Sequence, residues 1–79
     1  MSAEPTALHD RNAVAAFLTQ NIGVEKATHI VSVACELLGF SGGMTRPQCL
    51  QVLEKIAEQD GIIGVTARFA KSRAILRLV

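Results

Sequence analysis

The hydrophobic period of this chain changes at Gly61, and that change most restricts what the chain can fold into. Upstream, Leu50, Leu53, Ile56 and Ala57 recur at helical spacing, with Cys49 and Val52 beside them. Thr45 is placed as an N-cap, and Gln48 three residues later completes a capping box. Met44 is positioned to staple against the first turn. Pro47 is tolerated there because the earliest helical amides lack intrahelical partners. Downstream of Gly61 the period falls to two. Ile63, Val65, Ala67 and Phe69 alternate with Gly64, Thr66 and Arg68. After Ala70-Lys71-Ser72, the residues Ala74, Leu76 and Leu78 alternate with Arg73, Ile75, Arg77 and Val79. Alternation of this kind predicts a β-hairpin with one face on the helices. Ile62, Ile75 and Val79 fall on the other face. They are candidates for a partner or dimer contact, or for cover by the N-terminal segment.

Two further helices are expected before this unit. Met1 to Pro5 reads as a frayed start. Thr6 or Asp10 can cap a first helix running to about Asn21, with Leu8, Val14, Phe17 and Leu18 as its apolar stripe. Gly23 supplies its stop. A second helix is predicted from about Val24 to Leu38. Ala27, Ile30, Val31, Ala34, Cys35, Leu37 and Leu38 form its buried face, with Glu25, His29, Ser32 and Glu36 opposite. Gly39 ends it, and the loop Phe40-Ser41-Gly42-Gly43 follows. The expected fold is a single α+β domain over residues 1–79: three helices followed by a C-terminal two-stranded antiparallel β-hairpin.

At 79 residues the chain is near the size at which one core only just suffices, yet 49% of its residues are apolar and only 19% charged. The excess of apolar surface favours self-association as a homodimer. An alanine-rich core is the plainer explanation. Charge is unevenly placed. Residues 1–44 carry Arg11 and Lys26 against Glu4, Asp10, Glu25 and Glu36, a net −2. Residues 45–79 carry Arg46, Lys55, Arg68, Lys71, Arg73 and Arg77 against Glu54, Glu58 and Asp60, a net +3. A basic C-terminal half can favour an anionic partner. The polar, acidic N-terminus has no secretory h-region, and no apolar run is long enough to span a bilayer. Cys35 and Cys49 are expected to be buried, reduced thiols of a cytoplasmic protein, and the initial Met suggests the native start.

The catalytic and metal motifs do not hold together. Gly39-Phe40-Ser41-Gly42-Gly43 matches the glycine-x-serine-x-glycine elbow of hydrolases. That elbow needs a strand before it and a histidine after it, and here a helix precedes and no histidine follows. His9, His29, Cys35 and Cys49 lack zinc-motif spacing. Glu54 and Glu58 read as a solvated helix flank. No enzyme activity, cofactor, metal or membrane role is expected. The basic hairpin remains. Arg68, Lys71 and Arg73 cluster at its turn, where they can reach phosphates or keep an exposed strand edge unpaired.

Residues 24–79, and above all Cys49-Leu50-Gln51-Val52-Leu53-Glu54-Lys55-Ile56-Ala57-Glu58-Gln59-Asp60-Gly61-Ile62-Ile63, resemble the winged-helix DNA-binding domains of bacterial and archaeal transcription regulators. The resemblance implies that the third helix enters the major groove and that the hairpin is the wing. Carried onto this chain, it places Arg46, Gln48, Gln51 and Lys55 on DNA from the helix. Arg68, Lys71 and Arg73 would make the wing contacts. The long second helix, the loose Gly39–Met44 connection and the acidic Glu54 and Glu58 depart from that pattern. Two functions follow as expectations. The first is a small winged-helix-like DNA-binding transcription regulator. The alternative is a non-enzymatic protein-protein interaction or adaptor module of the same architecture, with Ile62, Ile75 and Val79 as its contact.

Overall fold

The computed structural model describes residues 8–77, and the elements within them are all helices. The order is α1 (Arg11–Ala16), α2 (Thr19–Ile22), α3 (Val24–Leu38), α4 (Arg46–Ala57) and α5 (Gly61–Arg77). The frayed start at Met1–Pro5, the alternative cap at Thr6, and the expected strand positions Leu78 and Val79 lie outside the described residues.

The helix ends follow from local chemistry. The Asp10 carboxylate accepts from the Ala13 amide at 2.8 Å and starts α1. The expected single first helix is broken at Phe17 and Leu18, which leaves α2 as a separate turn that packs on α3. Val14 and Leu18 are buried as expected. Leu8 is not: it lies before the helix and is exposed. Gly39 adopts the left-handed conformation (φ 77°) that closes α3, a geometry that costs an L side chain more than glycine. At α4 both halves of the capping box are made. Gln48 Oε1 accepts from the Thr45 amide at 2.8 Å, and Thr45 Oγ accepts from the Gln48 amide at 3.3 Å. The α3–α4 loop is pinned to the N-terminal segment by a two-way backbone pair between His9 and Met44, at 2.8 and 2.7 Å. That bridge is the one β-type pairing among the described residues.

The expected C-terminal hairpin is overturned: residues 61–77 form one 17-residue helix. The α+β fold class and the wing go with it. The alternation of Ile63, Val65, Ala67 and Phe69 is real, but a helical period runs through the same residues. Gly64, Ala67, Ala70 and Ala74 fall on one side and are buried. Ile62, Val65, Phe69 and Leu76 fall on the other and are exposed. Because both sides are apolar, neither stands out against a polar background. The intended turn, Ala70-Lys71-Ser72, contains none of the residues that favour positive φ, whereas alanine, lysine and arginine are strong helix formers. Ala67 and Ala74 are buried as expected, but the faces are otherwise redistributed. Val65, Phe69 and Leu76, expected inside, face out, while Gly64 and Thr66, expected outside, are buried.

α5 packs mainly along α4. The turn between them closes tightly on Gly64, where a Cβ would lie 1.9 Å from the Gln59 carbonyl oxygen. α4 itself stops at Ala57, before the expected terminator Gly61. Gly61 takes φ 79° and redirects the chain into α5. The core draws Val14 and Leu18 from the N-terminal helices, Val31 and Cys35 from α3, and Met44 from the loop. α4 adds Cys49, Val52, Leu53 and Ile56, and α5 adds its alanines. Leu37, expected in that core, is exposed.

Candidate interaction surface

α5 shows its larger side chains to solvent. Ile62, Val65, Phe69 and Leu76 are 68%, 43%, 64% and 85% exposed, while the alanines beneath them are buried. At 3.6 residues per turn these four lie within an arc of about 60°, with Ser72 filling the remaining turn. They run along the helix for roughly 21 Å. Ile75 is also exposed, but beside Arg68 on one flank, about 80° around the helix from Val65. Helix formation alone cannot favour such an arrangement, since apolar side chains in water contribute nothing until something covers them.

The cations of α5 divide between this surface and the fold. Arg68 and Arg77 are exposed on opposite flanks of the stripe. Lys71 pairs with Glu54 on α4. Arg73 donates to the Phe17 carbonyl at the end of α1. The helix has no acidic residue, but Glu58 and Asp60 are exposed just before it begins. The exposed charges beside the stripe are thus Asp60 before its start and Arg68 and Arg77 on its flanks.

The residues expected to contact DNA do not form one cluster. Arg46, the first residue of α4, donates to the Ile75 carbonyl at 3.0 Å and ties the start of α4 to the end of α5. Gln48 is consumed by the capping box. Gln51 is exposed on α4, and Lys55 pairs with Glu58 at 3.5 Å. Arg68, Lys71 and Arg73, expected together at a hairpin tip, are instead spread around a helix, two of them engaged by other parts of the chain. Of the expected partner contacts, Ile62 and Ile75 are exposed on α5, and Val79 lies outside the described residues. Sequence reasoning missed Val65, Phe69 and Leu76. The signal that finds them is their spacing of three, four and seven residues from Ile62 onward.

Two other features of the molecule carry no site. A shallow groove of about 450 Å³ lies between α3 and α4, with Ile30, Val33 and Leu37 along one wall and Lys55, Glu58 and Gln59 along the other. Its mixed rim presents both charges and singles out no ligand. In the core, the Cys35 thiol approaches the Met44 sulfur at 3.8 Å, and Cys49 is buried nearby. Burial pushes both thiols above their usual pKa. At Cys35 the Arg11 guanidinium partly opposes this, and at Cys49 the proximity of Cys35 adds to it. Neutral, enclosed thiols are poor nucleophiles and poor metal ligands. No cluster of three or more histidine, cysteine or carboxylate side chains suited to a metal occurs among the described residues. Nor is any helix among them long and apolar enough to cross a membrane.

Comparison of the chain with protein-family models, with curated proteins and with solved structures finds no match.

Proposed function

We propose that this chain is a non-enzymatic protein-interaction module whose contact surface is the outer face of α5. One observation carries the reading: the helix buries Gly64, Thr66 and its inner alanines, with Ile63 half-buried, and turns Ile62, Val65, Phe69 and Leu76 outward. A sequence under selection only for a stable monomer gains by the reverse placement, because burying a large apolar side chain contributes about 1.5–3 kcal/mol. A protein surface that covers the stripe recovers that contribution on association.

DNA binding has less to draw on. Lys71 and Arg73 hold α5 to Glu54 and Phe17, so contact with phosphates would require them to leave those partners. Arg68 and Arg77 remain exposed, but on opposite flanks of the helix, where one duplex backbone does not meet both. Duplex DNA is therefore expected to bind weakly and only at low salt.

The test is a photo-crosslinking amino acid placed at Phe69, and separately at the exposed Asn12 of α1, in cells that make the protein. A discrete crosslinked species from position 69 and none from position 12 is the expected result. No product from position 69 would end the reading.

A further inference from the structure

The stripe on α5 has a symmetry of its own. Ile62 lies seven residues before Phe69 and Leu76 seven residues after it, so the two ends match about a centre at Phe69. Between them, Val65, four before, corresponds to Arg73, four after, whose guanidinium turns away to the Phe17 carbonyl. A second α5 laid antiparallel across the first brings Ile62 against the partner's Leu76 and Phe69 against the partner's Phe69. Each aliphatic end thereby meets its own complement, which is the condition for a closed two-fold contact.

Charge selects the same orientation. The exposed Asp60 precedes the helix, and the exposed Arg77 ends it. A parallel pair would set acid beside acid and arginine beside arginine. An antiparallel pair sets the acidic start of each helix beside the basic end of the other, and the helix macrodipoles also oppose favourably. Arg68 lies off the seam, about 100° around the helix from Phe69, where its long side chain can stay in water. A generic acidic helix would satisfy Arg77 but leave Asp60 facing like charge. An anionic lipid surface has the same defect at that end. A second copy supplies both signs in register.

We infer that two copies of this chain associate through antiparallel α5 helices around a two-fold axis at Phe69. The inference rests on the outer face of α5 being an interface at all. It adds the identity and orientation of the occupant.

The experiment is sedimentation equilibrium of the full purified chain at about 100 µM, where even a micromolar dimer is saturated. The unaltered protein is expected at twice the monomer mass, and Phe69→Asp at the monomer mass with an unchanged helical circular dichroism spectrum. Phe69 is exposed, so its replacement leaves the core intact. Arg77→Glu should weaken the dimer about tenfold, and Asp60→Arg combined with Arg77→Glu should restore it. Within one chain these two positions stand at opposite ends of α5, roughly 25 Å apart, so restoration requires a second chain. A monomeric unaltered protein, a dimeric Phe69→Asp, or a double variant no tighter than Arg77→Glu would each overturn the inference. If the purified protein is monomeric while position 69 still crosslinks in cells, the interface stands and its occupant is another protein. If neither association nor crosslinking occurs, both readings fall.

Discussion

The Arg73 guanidinium donates a hydrogen bond to the Phe17 carbonyl, joining the last helix to the end of the first across 56 positions of chain. Phe17 is the C-cap of α1, where carbonyls run out of helical amide partners. A cation at a helix C-terminus also meets the negative end of the helix dipole. This contact replaces the expected role of Arg73 as a DNA-contacting residue of a wing.

Replacing Arg73 with alanine is accordingly expected to destabilise the fold by about 1–2 kcal/mol, since hydrogen bonds to charged groups carry more than neutral ones. Arg73→Lys keeps the charge but loses the planar fork, and should fall between the two. Urea unfolding followed by circular dichroism measures both. An Arg73→Ala protein as stable as the original would mean that the contact contributes nothing net.

Gly64 is the position at which α5 tolerates least. A methyl group there meets the Gln59 carbonyl oxygen at 1.9 Å, and backbone cannot yield as a flexible side chain can. Gly64→Ala should cost more than about 2 kcal/mol, despite alanine's better helix propensity. Ser72→Ala, on the exposed side of the same helix, should stay within about 0.5 kcal/mol. The difference between the two midpoints separates packing from propensity.

At Thr45 the cap is lost with the hydroxyl. Thr45→Ala is expected to destabilise by about 1 kcal/mol, and Thr45→Ser by much less, because serine caps equally well. Thermal unfolding of the three proteins under one set of conditions gives the comparison. Equal midpoints would show that water caps α4 as well as Thr45 does.

The two thiols make a prediction in pH. Their folded pKa values are raised above the ordinary 9.0, chiefly by burial. Below the unfolded pKa both states hold the proton, and the contribution to stability is complete. Above it the unfolded chain ionises first, so stability declines as pH rises through and beyond about 9. Unfolding curves at pH 7.5 and 9.5 should therefore separate more for the original chain than for one with Cys35→Ala and Cys49→Ala. A thiol reagent at pH 7.5 should modify neither cysteine until the protein unfolds. Rapid labelling of the folded protein would contradict the enclosure of both.

Much of the helical frame is legible along the chain. α3 spans the expected Val24–Leu38, between glycines that take positive φ at both ends. The Thr45–Gln48 box starts α4 where its spacing says it should. Caps and glycine stops are readable because their chemistry is complete within four or five residues. The first helix shows where that reach ends. Asp10 marks its start, but the break at Phe17–Leu18, where the Thr19 hydroxyl donates back to the Ala15 carbonyl at 3.0 Å, is not marked by a glycine or proline.

The candidate surface was half visible. Ile62 and Ile75 stand out in either periodicity, and both are exposed. Val65, Phe69 and Leu76 do not stand out, because a strand with one buried face and a helix with a small-residue inner face share much of one apolar pattern. What the sequence determined by itself was the set of local stops and caps, and the excess of apolar side chains over what so short a chain can hide. Tertiary structure alone decided which of them to hide. α5 packs with its alanines inward and Gly64 against the Gln59 carbonyl of the preceding turn, and that packing leaves Ile62, Val65, Phe69 and Leu76 toward water.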